Sequence, residues 1–316
     1  MEKFRLNIVG ADEDVPRVML AYGHGCGGEV AFVMRPRDNS ALLTGWLLAL
    51  SIPPLAQWWL VVVGTAFAIA IAKHLYGGLG NNPFNPAMIG YAGLIVSFPV
   101  QMTHWLAPQG LGQAELGFLN QLAYIFAGVL PEGVRLDAIT MATPLDTLKT
   151  HLHLDEPVKQ ILDLPIFGSL AGQGSEMVAT GFVLGGIYLL MTRIISWHIP
   201  VAFLGTLFVT AGIFHLVEPT RYATPLFHWF SGAAMLCAFF ILTDPISGPT
   251  THKGKLIFAA GAGLLTYLIR AFGGYPDGLA FATLLMNICV PLIDAWTQPP
   301  VFGKKDREAG RKGRQP

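Results

Sequence analysis

Residues 136–150 read LDAITMATPLDTLKT, and within them Asp137, Thr140, Ala142 and Thr143 follow the spacing D-x-x-T-x-A-T. The stretch gathers hydroxyls and carboxylates around a central Ala-Thr-Pro and carries no ordinary metal, nucleotide or protease signature. The plain structural reading of Thr143 is a helix start: its hydroxyl can accept from a free backbone N–H, Pro144 suits the first turn, and Asp146 faces the positive end of the helix dipole. Such a cap requires neither Asp137 nor Thr140.

Other polar residues invite chemistry less strongly. His104, His151 and His153 share the same polar stretch, but metal-binding histidines on a helix recur at about i, i+4, so these read as solvated loop residues. The three cysteines, Cys26, Cys237 and Cys289, form no CxxC or Cys/His pattern. Cys237 and Cys289 lie in apolar runs, where free cysteine behaves as a small buried hydrophobe. The run Gly80-Asn-Asn-Pro-Phe-Asn-Pro86 has two readings, the lining of a ligand or ion route and the cap of a broken helix.

The elements that must position these residues belong to a membrane protein. Of 316 residues, 53% are hydrophobic and 13% charged, with a mean hydropathy of +0.51, far from a soluble domain. Lys plus Arg and Asp plus Glu are both 20, so net charge predicts no nucleic-acid or polyanion partner. The first twenty residues lack the apolar core and cleavage site of a secretory signal, and the chain is expected to insert through its own spans.

Two kinds of apolar segment alternate. Residues 58–73, 177–195, 201–217 and 256–269 read as ordinary spans, given the roughly 20 residues a bilayer core needs once flanks are counted. Residues 40–54, 85–99, 230–245 and 277–294 are shorter, or framed by Pro, Gly and polar side chains, and read as broken or partial helices. Irregular backbone at membrane depth survives where protein or a water-filled cavity satisfies it, which suggests a lined interior. The order repeats: residues 40–99 and 230–294 each run partial helix, Pro stop (Pro54, Pro245), long span, paired glycines (Gly77 and Gly78, Gly273 and Gly274), second partial helix. The expected fold is an all-α integral membrane protein, an inverted-repeat bundle of about eight segments.

Charge orients the halves. Lys3, Arg5, Arg17, Arg35 and Arg37 precede the first segment and Lys304, Lys305, Arg307, Arg311, Lys312 and Arg314 follow the last, so both termini are expected in the cytoplasm. The polar stretch holds Arg135, Lys149 and Lys159 against seven acidic residues from Glu115 to Asp163, and is expected outside. The expected division is 1–38, a cytoplasmic segment; 39–102, a first membrane repeat; 103–175, the outward loop; 176–298, a second repeat; and 299–316, a basic cytoplasmic tail that meets anionic lipid. The second repeat is preceded by two long spans. The first is preceded only by RVMLAYGHGCGGEVAFVM, a poor membrane helix, so the symmetry leads one to expect a helical pair that this chain lacks.

Asp137 to Thr143 resembles D-x-x-[S/T]-x-A-T, the motif that periplasmic flavin transferases read when they attach FMN through its phosphate to the last threonine. The likeness extends through ALLTGWLLAL, YGGLGNNPFNPAMIGY, MATPLDTLK, ILTDPISGPTTHKGK and FGGYPDGLAFATLLMN. Together these resemble the D subunit of Rnf-type ion-translocating electron-transport complexes, with the B subunit of the sodium-pumping NADH:quinone reductase as a more distant relative. The resemblance spans residues 38–298. It departs at Met141, where the family often has Gly, and before residue 38, where the family has a pair of membrane helices.

The resemblance implies a flavoprotein of the bacterial inner membrane, with covalent FMN on Thr143 and with Asp137, Thr140 and Ala142 as the attachment motif. It implies other Rnf-type subunits and a flavin transferase as partners, and electron flow between ferredoxin-side and NAD-side partners coupled to ion movement. A second, non-covalent riboflavin is compatible with it, at no position the sequence identifies. Two rivals stand: a urea- or ammonium-type solute channel, because inverted repeats of broken helices build those too, and an inactive truncated copy.

Overall fold

The computed structural model describes residues 5–9, 17–22, 30–34, 39–76, 81–114 and 116–299. The basic tail, Gly77 and Gly78, and the side chains of the first 38 residues lie outside them. In the N-terminal segment the backbone pairs Arg5–Val9, Arg17–Tyr22 and Val30–Met34 into an antiparallel three-stranded ribbon. The stretch read as a poor membrane helix is extended at both of its described ends.

From Asn39 onward the protein is predominantly helical. The first repeat contributes Ser40–Ser51, Trp58–His74 and Pro86–Ser97; the second contributes Pro225–Phe230 with Ala234–Ile241, then His252–Phe272 and Leu279–Thr297. Trp58–His74, and Ser175–Met191 after the polar stretch, both read from the sequence as ordinary spans, are shorter apolar helices of 17 residues or fewer. Between the repeats stand Ser175–Met191 and His198–Val217. Among the described residues three helices are long and apolar enough to cross a membrane, His198–Val217, His252–Phe272 and Leu279–Thr297, with shorter apolar helices around them.

In lipid the helices associate by close packing, and the sequence supplies small residues where they cross. A Cβ on Gly90 would stand 2.7 Å from the carbonyl oxygen of Gly64, so the helices that carry them meet backbone to backbone. Around this crossing Leu48, Leu60 and Leu94 are fully buried, and Phe203, Leu207, Phe258 and Tyr267 play the same part in the second half.

Residues 58–73, read from the sequence as an ordinary span, prove irregular, and the segments read as broken take two forms. Trp58–His74 and Ala234–Ile241 each slip into a π-helical turn, with Leu75 N–H donating to Ala70 O at 3.0 Å and Leu242 N–H to Cys237 O at 2.9 Å. Wide turns of this kind leave carbonyls for other partners, and Asn85 Nδ2 donates to the Ile241 carbonyl at 3.3 Å. Leu279–Thr297, by contrast, is one continuous helix with Pro291 inside it, where the sequence suggested a break. The proline removes one N–H, a loss membrane helices tolerate when neighbours re-satisfy the backbone.

Candidate functional site

Residues 103–175, expected from their charge to lie outside, fold as a small polar subdomain held against the second repeat. Its centre is a two-residue antiparallel pairing, Trp105 opposite Met141 and Leu106 opposite Thr140. Ala107 N–H donates to Ile139 O at 3.1 Å and Gln113 N–H to Ala138 O at 2.9 Å, so the motif backbone is clasped by the chain that precedes it. Ile139 is the buried pin of this region, at 2% exposure.

Asp137 lies in the short helix Leu136–Ile139, its side chain 77% exposed and 3.4 Å from Arg135 Nη2. Such an exposed pair adds little stability; it leaves the carboxylate displayed to solvent. Thr140 is half-buried and donates from Oγ1 to Leu136 O at 3.0 Å, closing the turn behind Asp137. Ala142 is exposed, and Thr143, half-buried, caps the helix Pro144–His153 by accepting from Asp146 N–H at 3.2 Å. The structural role anticipated for Thr143 is therefore present, and Asp137 and Ala142 carry no comparable structural duty.

The helix behind Thr143 is firmly seated. Leu145 and Leu148 are buried in a separate apolar cluster with Val158, Ile161, Phe167 and Phe227. Pro144 rests against the backbone of Gly172, in a loop whose Leu170 and Ala171 N–H groups donate to the Glu176 carboxylate at 2.7 and 2.8 Å. Lys149 Nζ donates to the carbonyls of Gly273 and Tyr275, the latter at 2.9 Å, tying the helix to the outer end of the second repeat. Partial burial raises the Asp146 carboxyl above its ordinary value, with the Lys149 charge opposing, and lowers the Lys149 ammonium, with Asp146 opposing.

Beneath this helix sits a junction the sequence did not disclose. Arg270, its side chain 1% exposed, donates from Nε and Nη2 to Asp277 Oδ1, both at 3.2 Å, from Nη1 to His228 O at 2.7 Å, and from Nη2 to Ser231 O at 3.1 Å. Asp277 Oδ2 accepts from Ala233 N–H at 3.0 Å. The pair thus satisfies the broken backbone between Phe230 and Ala234. Gly232 there has φ +63°, and a Cβ on it would run into Asp277, Leu145 and Arg270; only glycine fits.

A cleft lined by Leu145, Leu148, Lys149, Leu152, Arg221 and Tyr267 runs between the helix and this junction. At about 100° per residue, Leu145, Leu148, Lys149 and Leu152 lie roughly 140–240° around the axis from Thr143, and His153, which also lines the cleft, lies about 80° from it. The cleft therefore belongs mainly to the packing face of the helix, and Thr143 is not among its lining residues. A smaller cleft lies beside the motif, lined by Gln57, Gln101, His104, Tyr124, Leu136 and Thr140.

Of the remaining sequence candidates, Cys26 and Gly80 lie outside the described residues, and His151 and His153, read as loop residues, fall in the last turn of the helix Pro144–His153. His151 Nδ1 is 2.8 Å from Glu156 Oε2, and His104 lines the smaller cleft. Cys237 is buried at 1% exposure with Sγ 3.7 Å from Thr283 Oγ1; Cys289 is half-buried. Asn85 caps Pro86–Ser97 by accepting from Met88 N–H, and its own N–H donates to Asn287 Oδ1 at 3.2 Å. Asn287 Nδ2 donates to Ser247 O at 2.9 Å. The Asn85 side of the polar run thus serves as a cap that also locks the two repeats together.

Three helices long and apolar enough to cross a membrane, with shorter apolar helices and a polar subdomain beside them, define an all-α multi-pass membrane protein. The sequence profile of the NQR2, RnfD, RnfE family matches residues 11–303, and the chain belongs to that family. It is 56% identical over 276 residues to the D subunit of the ion-translocating oxidoreductase complex of Cronobacter sakazakii, covering 85% of this chain and 79% of that one. The corresponding protein of Escherichia fergusonii is also 56% identical, over 277 residues, with 85% and 79% covered. That of Aliivibrio salmonicida is 53% identical over 276 residues, again with 85% and 79% covered.

Proposed function

We propose that this chain is an electron-carrying membrane subunit of an Rnf-type ion-translocating oxidoreductase complex, with FMN joined through its phosphate to Thr143. The observation that carries the reading is the setting of Asp137 to Thr143: an exposed carboxylate, an exposed alanine and a half-buried threonine at a helix start, on a backbone clasped by the chain that precedes it. The exposed Asp137 and Ala142 are the parts of the motif that a flavin transferase would meet.

The residues present fit the group. A phosphodiester on Thr143 Oγ would sit at the N-terminus of a ten-residue helix, where first-turn N–H groups and the dipole favour an anion. Bound flavin supplies one- and two-electron redox chemistry. The chain's own contribution is placement: Thr143 as anchor, Leu145, Leu148 and Lys149 fixing the anchoring helix to the second repeat, and Thr140 holding the turn that displays Asp137. A covalent link keeps the cofactor at high effective concentration where affinity alone would have to hold it.

In this reading the segment faces the periplasm, both termini are cytoplasmic and the chain resides in the inner membrane, which is the arrangement the charge distribution favours. The test is co-expression with a flavin transferase followed by a denaturing gel under ultraviolet light. A fluorescent band at the chain's mass, lost in Thr143→Ala, is expected; a dark band from the unaltered chain would refute the proposal.

A further inference from the structure

The helix Phe118–Ala127, FLNQLAYIFA, has its amphipathic faces reversed. None of its residues is buried. At about 100° per residue Phe118, Leu119, Leu122, Ala123 and Phe126 share one arc of roughly 140°, and Asn120, Gln121 and Tyr124 lie opposite. Phe118 is 72% exposed, Leu119 77%, Phe126 66% and the following Val129 61%. On the polar side Gln121 and Tyr124 meet protein, Gln121 Nε2 donating to Leu116 O at 2.8 Å and Tyr124 lining the smaller cleft with Thr140, while Asn120 is exposed to solvent. A face of four large apolar side chains turned to water is not how a soluble surface is built.

Its place in the fold says what covers that face. The helix ends at Gly128, where a Cβ would stand 3.0 Å from Gln57 Nε2, and Gln57 is the N-cap of the membrane helix that begins at Trp58. Trp59 Nε1 donates to Gln57 Oε1 at 2.8 Å. The outer helix is thus tied at the level of two tryptophans at a span's end, the depth at which tryptophan gathers in membranes. Trp58, Val61 and Val62 are exposed along that apolar helix, so two exposed apolar surfaces adjoin where Gly128 meets Gln57. Ten residues reach only about 15 Å, too short to cross.

We propose that Phe118–Ala127 is a membrane-surface helix, lying in the plane of the lipid leaflet that borders the Thr143 segment, with Phe118, Leu119, Phe126 and Val129 among the upper acyl chains. Because Tyr124 shares a cleft with Leu136 and Thr140, the helix holds the Asp137 to Thr143 segment at the lipid headgroups. This placement is independent of whether Thr143 is modified.

Benzoylphenylalanine at position 118 or 126, with position 120 as the solvent-facing control, tests it in native membranes containing the whole complex. Irradiation should give phospholipid adducts at 118 and 126 by mass spectrometry, at least about tenfold above those at 120, as expected of an apolar face sunk to the acyl boundary. A discrete cross-link to another subunit, or no adduct at either phenylalanine, overturns the proposal. Hydroxyl-radical footprinting of the unaltered complex in lipid nanodiscs needs no substitution. Phe118 and Phe126 should stay unoxidised, and oxidation of both at the level of solvent-exposed residues overturns the proposal equally.

Discussion

Replacing Asp277 by Asn tests whether one ion pair holds the broken backbone beneath the Thr143 helix. The carboxylate receives three donors, from Arg270 Nε and Nη2 at 3.2 Å and from Ala233 N–H at 3.0 Å, and its side chain is 21% exposed. Asparagine keeps the shape but removes the charge, and its one carbonyl oxygen cannot face both Arg270 and the Ala233 N–H. Removing one partner of a buried pair costs about 3–5 kcal/mol, because the other charge stays buried without its counter-ion. At the low end, about 3 kcal/mol corresponds to a drop of roughly 6–12 °C in the midpoint of a domain of 150–250 residues. The assay is thermal unfolding of the purified complex, followed by loss of the monodisperse peak on size exclusion. Replacing Arg270 by Met as well removes both charges, so the double variant should lose much less than the sum of the two single losses. A midpoint for Asp277→Asn within a degree of the parent, or additive losses, would refute the role given to this pair.

Gly232→Ala forces a side chain into a left-handed backbone position closed by Asp277, Leu145 and Arg270 and should cost about 1–3 kcal/mol, read in the same assay. Thr143→Ser keeps both hydroxyl and cap; Thr143→Ala removes the cap, worth about 1 kcal/mol, and should still leave a chain that inserts and runs at parental yield. The Asp146 carboxyl is raised by burial, so the folded state binds its proton more tightly than the unfolded one. Its contribution is present at low pH and is lost as pH rises through the range above the ordinary carboxyl value of 3.8. Hydrogen exchange of Pro144–His153 should therefore speed up across that range in the parent, beyond the intrinsic pH dependence, and not in Asp146→Asn.

Much of this architecture was legible in the sequence, for physical reasons. The segment pattern around Pro54 and Pro245 marks where helices must stop, and Thr143-Pro144 followed by Asp146 spells a helix start that the structure forms. Other features were not legible. Leu279–Thr297 is continuous because Pro291 costs only one backbone bond, which composition alone does not separate from a break. The π-helical turns ending at Leu75 and Leu242 arise from packing and leave no periodic signature. The outer helix Phe118–Ala127 is apolar on the side away from the protein, so its sequence resembles a core helix until its neighbours are placed. Arg270 and Asp277 are close in the chain, but their partners at His228, Ser231 and Ala233 come from another element.

The most direct measurement is mass spectrometry of the peptide spanning residues 136–149, released from native membranes. A mass increase matching one FMN phosphoester, with fragmentation placing it on Thr143, is the predicted result. Only unmodified threonine at that position, in membranes that also make a flavin transferase, would contradict the account.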